Sequence, residues 1–267
     1  MERVVLSVAG VEVSRLTLGT GSFHHLFGRG SRRLLMHSAL DGGVTHFDTA
    51  PLYGHGFAET ELGALLRGQR NRVTITTKFG LYPTKISGVS RFDQLVATVS
   101  RRIKRSSFSP VSDFSVVKGR SSLRQSLKRL RTDYIDCFMV HEPVCSFDEI
   151  QSLVGWLEEE KRAGLIRCWG MAGEREVLAN MNCCLLDNQF ILQTRGPSSE
   201  EVDELDRVAS RNPDFLYGLI SSYLSTNRAN CVNEIFDHFR KRCPNSCFIM
   251  STCNISHLEE ACDFWNQ

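Results

Sequence analysis

The sequence predicts an α/β protein, a closed (β/α)8 or TIM barrel with a short N-terminal β-hairpin. Eight apolar, strand-like runs alternate with eight helix-like runs from residue 16 onward. The strand-like runs are apolar throughout, which is typical of parallel strands that helices cover on the outside. No Gly-x-Gly-x-x-Gly motif follows the first of these strands, which argues against an open dinucleotide-binding sheet. Together these observations favour the closed barrel.

The length fits a single domain, because parallel barrels of roughly 250 residues form one unit. We therefore interpret residues 1–267 as one barrel domain. Two apolar runs around Ala9-Gly10, residues 4–8 and 11–13, predict a hairpin that caps the amino-terminal mouth of the barrel. The predicted barrel strands are residues 16–23, 44–50, 73–80, 134–143, 166–171, 189–193, 215–220 and 247–251.

A helix is predicted after each strand. These helices are residues 32–40, 59–67, 121–131, 148–162, 175–181, 200–210, 230–240 and 257–264. Three helix starts carry the Ser-x-x-Glu form of a capping box, in which serine and glutamate satisfy free main-chain amides. They are Ser146-x-x-Glu149, Ser198-x-x-Glu201 and Ser256-x-x-Glu259.

The charge balance excludes several classes of partner. The chain has 32 basic and 30 acidic residues, a net charge of +2, which is too balanced to favour nucleic acid or an anionic membrane surface. No run approaches the ~18 consecutive apolar residues of a membrane-spanning helix, and Met1-Glu2-Arg3 leads into a strand rather than a signal-peptide core. We therefore expect a soluble, cytoplasmic protein. The sequence leaves its oligomeric state open.

The ten cysteines lack the paired short spacings of a structural zinc module. Disulfides are not expected without a secretory signal. We interpret the cysteines as reduced packing residues and expect no bound metal.

Four polar residues mark the ends of predicted strands. Asp48 ends the second strand, Tyr53 lies in the loop after it, Lys78 is near the end of the third strand and His141 is near the end of the fourth. The carboxyl ends of parallel barrel strands meet at one mouth, where polar residues are typical of function. We therefore expect these four side chains to share one pocket.

Their chemistry suggests a site that donates a proton. A tyrosine has an unperturbed pKa of about 10, so it gives up a proton poorly at neutral pH unless a nearby cation stabilises its phenolate. Lys78 could provide that cation and Asp48 could hold it in place. His141 could hydrogen-bond a substrate carbonyl and orient it.

The motifs around these residues resemble the aldo-keto reductase family. They are Phe47-Asp48-Thr49-Ala50-Pro51-Leu52-Tyr53-Gly54, Glu59-x-x-Leu62-Gly63, Thr77-Lys78-Phe79-Gly80 and Asp133-Tyr134-Ile135-Asp136 leading to His141-Glu142-Pro143. Near the end of the chain, Ser251-Thr252-Cys253-Asn254 is similar to the family's last strand and cofactor-side helix.

The resemblance implies a small-molecule carbonyl substrate, a nicotinamide cofactor across the barrel mouth and a hydride delivered to the carbonyl carbon. Tyr53 would be the proton donor, Asp48 and Lys78 would support it, and His141 would orient the substrate. Ser251, Thr252 and Asn254 would bind cofactor phosphate at the start of the last helix, where free amides and the helix dipole favour an anion.

Several positions depart from the family pattern. The family often has Gly-Val-Ser-Asn after the fifth strand, where this chain has Gly170-Met171-Ala172-Gly173. Gln193, or else Gln189, would then contact the nicotinamide carboxamide. Thr194-Arg195 replaces the usual stacking aromatic residue, and Tyr223 is a candidate substitute.

Cys253 stands where many members place the basic residue that grips a 2′-phosphate. This position therefore leaves the choice between the two cofactors open. The resemblance to the family favours NADP(H), with NAD(H) possible.

The segment from residue 81 to residue 118 is the least typical part of the chain. It is far longer than an ordinary connection of about 4 to 6 residues, so it is predicted to be a functional loop or partly disordered. Ten basic residues lie between Arg101 and Arg131. They could attract an anionic substrate or the cofactor, or they could simply be solvated. Two classes of function stay open at this point: an NAD(P)H-dependent reductase, and a cofactor-binding sensor or scaffold with little turnover.

Overall fold

The computed structural model describes residues 1–6, 8–26, 28–83, 110–144, 146–182, 190–196, 212–220 and 232–267. In this part of the chain, eight parallel strands close into a barrel, as predicted. The strands are β1 Arg3–Leu6, β2 Val11–Ser14, β3 Leu16–Gly19, β4 His46–Asp48, β5 Thr74–Phe79, β6 Leu81–Tyr82, β7 Val111–Ser112, β8 Ile135–His141, β9 Ile166–Gly173, β10 Ile191–Arg195, β11 Phe215–Tyr217 and β12 Cys247–Met250.

The barrel runs through β3, β4, β5, β8, β9, β10, β11 and β12 in that order, and β12 pairs with β3 to close it. The described helices are α1 Arg29–Asp41, α2 Phe57–Leu65, α3 Val116–Leu130, α4 Phe147–Arg162, α5 Arg175–Asn182, α6 Val232–Arg242 and α7 Ile255–Asn266. None of them is both long enough and apolar enough to cross a bilayer.

The predicted hairpin is present, because β1 and β2 pair in antiparallel register. Its buried side chains pack into one apolar cluster with residues of the barrel strands: Val4, Leu6, Val11 and Val13 with Cys137, Met139, Cys168, Ile191, Phe215 and Cys247. The hairpin therefore closes the amino-terminal end of the barrel, and the open mouth lies at the carboxyl ends of the strands. Five of the six described cysteines are buried.

Some predicted boundaries were wrong. The first barrel strand ends at Gly19 rather than residue 23, because the chain turns into a short 3-10 helix, Phe23–His25. Strand β11 ends at Tyr217, and residues 219–220 are helical. Helix α3 begins five residues earlier than predicted, because the Ser115 hydroxyl accepts a hydrogen bond from the Lys118 amide and caps it.

The capping predictions had mixed outcomes. The Ser146–Glu149 capping box is complete in both directions. Ser256 does not cap the last helix. The Asn254 side chain accepts a hydrogen bond from the Ser256 amide and is the N-cap of α7.

Ser198-x-x-Glu201 and the predicted helix 200–210 lie outside the described residues, as does most of the segment 81–118. The described ends of that segment pair with each other as β6 and β7.

A close contact between α2 and α3 explains part of the Glu59-x-x-Leu62-Gly63 motif. Glu59 is fully buried and accepts hydrogen bonds from Thr77 at 2.7 Å and from Arg129 of α3. At Gly63 the α3 backbone comes so close that an added Cβ would lie 2.6 Å from the main chain of Arg129 and Leu130. The absence of a side chain at Gly63 therefore lets α2 pack directly on α3.

Replacing Gly63 with alanine should force the two helices apart. We expect Gly63→Ala to lower the free energy of unfolding by roughly 1–3 kcal/mol, the usual cost of overpacking. Urea denaturation followed by circular dichroism measures this change. Gly155→Ala is the matched control, because Gly155 is an exposed helical glycine with no atom within 4 Å of an added Cβ. That control should gain about 0.5–1 kcal/mol from helix propensity, and equal effects of the two substitutions would contradict the close contact.

Candidate active site

The four strand-end residues meet at one mouth of the barrel. Asp48 is the last residue of β4, Lys78 lies in β5, His141 is the last residue of β8, and Tyr53 begins the 3-10 turn Tyr53–Gly56. All four line the same cavity, which has a volume of about 620 Å³. The parallel topology brings Asp48, Lys78 and His141 together, because they lie at or near the ends of strands that finish at the same level. The turn after β4 adds Tyr53.

Asp48 and Lys78 form a buried ion pair. The Lys78 Nζ donates to both Asp48 carboxylate oxygens, at 2.8 and 2.6 Å, and to the main-chain oxygen of Thr49 at 3.2 Å. The two side chains are only 4% and 1% exposed. Burial raises the pKa of Asp48 and Lys78 opposes that rise. Burial lowers the pKa of Lys78, but Asp48 and Tyr53 outweigh it and the net direction is upward, so the ammonium stays charged.

Tyr53 is held above this pair by a tight turn. Gly54, His55 and Gly56 follow it with φ angles of 56°, 57° and 83°, a left-handed run that the two glycines make accessible. The Lys78 Nζ lies 5.3 Å from the centre of the Tyr53 ring. The tyrosine and the lysine therefore share one rim, as the sequence predicts.

The pKa of Tyr53 differs from the expectation that Lys78 makes its phenol more acidic. Burial raises the pKa of Tyr53, and although Lys78 opposes this rise, the net direction is upward. The lysine therefore does not acidify the resting phenol below its ordinary value, because desolvation outweighs it. The phenol is protonated at neutral pH, which a proton donor requires, and the ammonium is placed to stabilise the phenolate when the proton leaves.

His141 stands edge-on to Tyr53, with the two rings perpendicular and their centres 6.2 Å apart. Burial, and then the charge of Lys78, lower the pKa of His141 to about 3. The imidazole is therefore neutral at physiological pH and has one N–H to donate. Its Nδ1 is buried without a hydrogen-bond partner among the described residues.

Three of the four residues predicted to hold a cofactor line the same cavity. Gln193 is 3% exposed and lines the cavity with Ser251 and Thr252. A hydrogen bond from Gln193 lowers the pKa of Asp48, whereas its Oε1 has no partner among the described residues. Asn254 does not line the cavity but caps α7 directly beside it. Gln189 and Tyr223 fall outside the described residues.

Three further residues of the wall were not predicted from the sequence. Tyr217 ends β11, and its hydroxyl donates to Glu174 at 3.3 Å. Glu142 follows His141 directly, and Glu174 follows β9. All three line the cavity. Tyr217 could have been found from its place at a strand end, but the predicted strand ran three residues too far and hid that signal.

The stretch Gly170–Gly173 has no polar side chain, as expected, and Glu142 fills the space beside it. An added Cβ at Gly173 would lie 2.9 Å from the Glu142 Oε2. The same oxygen accepts from the Glu174 amide at 3.1 Å. A carboxylate thus takes the volume that a side chain at position 173 would need.

The chain is similar in sequence to known oxidoreductases. The family model "Aldo/keto reductase family" matches residues 15–184. The chain is 30% identical over 180 residues to Aldo-keto reductase YhdN of Bacillus subtilis (strain 168), a match that covers 64% of this chain and 47% of that protein. It is 31% identical over 181 residues to NADH-specific methylglyoxal reductase of Escherichia coli (strain K12), covering 64% and 52%. The chain thus spans about half the length of these curated relatives.

A solved structure extends the likeness to nearly the whole chain. The crystal structure of PA4992 from Pseudomonas aeruginosa superposes with a TM-score of 0.74 at 26% identity and covers 98% of this chain and 94% of that one. The match includes all eight barrel strands, so the site described above lies on the shared scaffold.

Neutralising Asp48 should destabilise the fold, because it leaves the Lys78 ammonium buried without its counter-charge. We expect Asp48→Asn to lower the free energy of unfolding by about 3–5 kcal/mol. Asp237→Asn is the matched control, since Asp237 pairs with Lys241 at the same 2.6 Å but in an exposed position. Breaking that exposed pair should change stability by less than about 1 kcal/mol. Guanidinium denaturation compares the two variants, and similar losses would argue against a buried charge pair.

Proposed function

Since the chain belongs to the aldo/keto reductase family, we propose that it is an NAD(P)H-dependent oxidoreductase that reduces an aldehyde, ketone or sugar carbonyl to the alcohol, or catalyses the reverse. The observation that carries this proposal is the meeting of Tyr53, the buried Asp48–Lys78 pair and His141 in one cavity. A small-molecule carbonyl is the proposed substrate. A cytoplasmic location is also proposed, because reduced nicotinamide and small carbonyl compounds meet there.

The four residues divide the work of carbonyl reduction. The Tyr53 hydroxyl donates its proton to the carbonyl oxygen as negative charge develops there. Lys78 stabilises the phenolate that remains, and Asp48 keeps the ammonium in place and charged. Neutral His141 donates an N–H to the carbonyl oxygen and orients the substrate. In the oxidation direction, Tyr53 first loses its proton to solvent, and the phenolate that Lys78 stabilises then accepts the proton of the alcohol.

The part of the cavity lined by Gln193, Tyr217, Ser251 and Thr252 fits a nicotinamide cofactor, which when bound supplies or accepts the hydride. The unpartnered Oε1 of Gln193 can accept from a carboxamide N–H. Tyr217 offers an aromatic face to a planar ring. Ser251 and Thr252 carry hydroxyls beside the first turn of α7, whose free amides and dipole favour a phosphate. We propose that these residues hold the cofactor, with Asn254 fixing the start of α7.

Tyr53→Phe tests the proposed proton donor. We expect turnover of a panel of aldehydes and ketones to fall by at least ~100-fold, the usual contribution of a positioned general acid. Cofactor binding, measured by quenching of tryptophan fluorescence, should stay within about twofold, because the ring is retained. Tyr134→Phe is the matched control, since Tyr134 precedes β8 at the far end of the barrel and stacks on Arg70 and Arg167.

The outcome also separates the two classes of function. Turnover in the wild type that Tyr53→Phe removes and Tyr134→Phe preserves supports the reductase. Tight cofactor binding with no oxidation of cofactor by any carbonyl of the panel supports the sensor or scaffold instead.

We further propose NADP(H) as the favoured cofactor, with NAD(H) as the alternative. The amides and hydroxyls at the start of α7 suit an additional phosphate, but Cys253 supplies no positive charge there. The preference should therefore be small. We expect NADPH to bind only a few-fold more tightly than NADH, and Cys253→Arg to widen the difference by on the order of tenfold by adding a charge-assisted contact. Fluorescence titration with both cofactors measures this preference, and tighter binding of NADH by the wild type would overturn it.

A further inference from the structure

The cavity carries a carboxylate beside its proton-donating centre. Glu142 follows His141 and adopts a φ of 48°, a left-handed conformation that is uncommon for a residue with a side chain. Its carboxylate is fixed by the hydrogen bond from the Glu174 amide and by its contact over Gly173. Backbone and side chain together direct the charge into the cavity wall.

No described lysine or arginine neutralises this charge within ion-pair distance. The second carboxylate of the wall, Glu174, has its own cation, Arg195, at 3.7 Å. Lys78, which also lines the cavity, is bound to Asp48. The wall beside His141 therefore keeps a net negative charge.

The described basic residues between Arg101 and Arg131 do not reverse this sign, because none of them lines the cavity. Arg120 of α3 pairs with Glu159 and Glu160 of α4, and Arg129 pairs with Glu59. None of these arginines lines the cavity. The expectation of an anionic substrate thus finds no support in the described wall.

Two buried polar atoms in the same cavity indicate that a ligand completes it. The Nδ1 of His141 and the Oε1 of Gln193 have no hydrogen-bond partner among the described residues. Both side chains line the cavity with Glu142. The negative charge therefore lies in the wall of the space where a ligand would bind.

We propose that Glu142 is a specificity-determining residue that selects carbonyl substrates carrying a positive charge, such as an ammonium group, and disfavours those carrying a carboxylate or phosphate. This inference rests on the proposed function, because it names the substrate class of that same cavity. The physical cause is the Coulomb energy between the fixed carboxylate and the charge of the substrate in a partly desolvated pocket.

A matched pair of aldehydes tests the proposal. 4-(Trimethylammonio)benzaldehyde and 4-tert-butylbenzaldehyde have nearly the same shape, and they differ in charge. We expect the ratio of kcat/KM for the cation to that for the neutral compound to fall on the order of tenfold in Glu142→Gln, as for unit charges several ångströms apart in a partly wet site. The ratio for 4-carboxybenzaldehyde to the neutral compound should rise. Intrinsic differences in aldehyde reactivity cancel, because each ratio is compared between variants.

Two further variants control for structure and for general charge. Glu142→Asn is a second neutral variant that tolerates the left-handed backbone, and it should give the same shift. Glu12→Gln removes one carboxylate from the hairpin at the far end of the barrel, where its side chain is 61% exposed. That control should leave both ratios unchanged. Unchanged ratios in both Glu142 variants would overturn the proposal.

Equilibrium binding separates this inference from the proposed function. The corresponding benzyl alcohols are titrated into the protein in the presence of oxidised cofactor, and ligand-observed NMR reports their affinities. A preference for the cationic alcohol that is lost in Glu142→Gln supports the inference even if neither aldehyde is turned over. Turnover of both aldehydes with equal ratios in all variants would sustain the reductase and remove the role of Glu142.

Discussion

The buried ion pair of Asp48 and Lys78 is the interaction on which the rest of the site depends. A buried charge is costly unless it is paired. Here both carboxylate oxygens of Asp48 accept hydrogen bonds from the Lys78 ammonium. The field of this one ammonium reaches several neighbours. Burial is the larger cause of the lowered pKa of His141 and of the core residue His46, and the ammonium lowers both further; it also opposes the rise in the pKa of Tyr53. The protonation states of the groups around the cavity therefore follow from burial together with the field of this ammonium.

A second ion pair, between Glu59 and Arg129, lies outside the barrel strands and contacts β5 next to Lys78. Glu59 of α2 binds Thr77, the neighbour of Lys78 in β5, and Arg129 of α3. Helix α2 begins directly after the turn that carries Tyr53. The same contacts thus tie the turn of Tyr53 to the strand of Lys78. Gly63 allows this arrangement, because only a residue without a side chain lets α3 approach α2 so closely.

The fold and the meeting of the four polar residues could be predicted because they follow from regular patterns. Alternating apolar runs set the barrel, and parallel strands bring Asp48, Lys78 and His141 to one mouth whatever the loops do. The effects of burial could not be predicted in this way. Desolvation decides the pKa of Tyr53, and its extent depends on neighbours from several strands. Glu142 was missed because its left-handed backbone and its place over Gly173 arise from contacts between β8 and β9.

Local competition also limited what the sequence could predict. Ser256 and Asn254 both suit a helix start, and the choice of Asn254 depends on how the chain leaves β12. The end of β11 at Tyr217 likewise depends on pairing with its neighbours, since residues 219–220 are as apolar as the strand before them. Such choices are made by tertiary packing rather than by propensity.

The β1–β2 hairpin bears on how Tyr53 regains its proton between cycles. Its apolar side chains close the far end of the barrel, and the barrel strands add further apolar residues to the same cluster. In the proposed mechanism, the proton that Tyr53 donates is replaced from bulk solvent at the open mouth, where Tyr53 lines the cavity. In the proposed mechanism, re-protonation of Tyr53 and release of the alcohol take place at the same mouth, so the next cycle begins only after the product has left it.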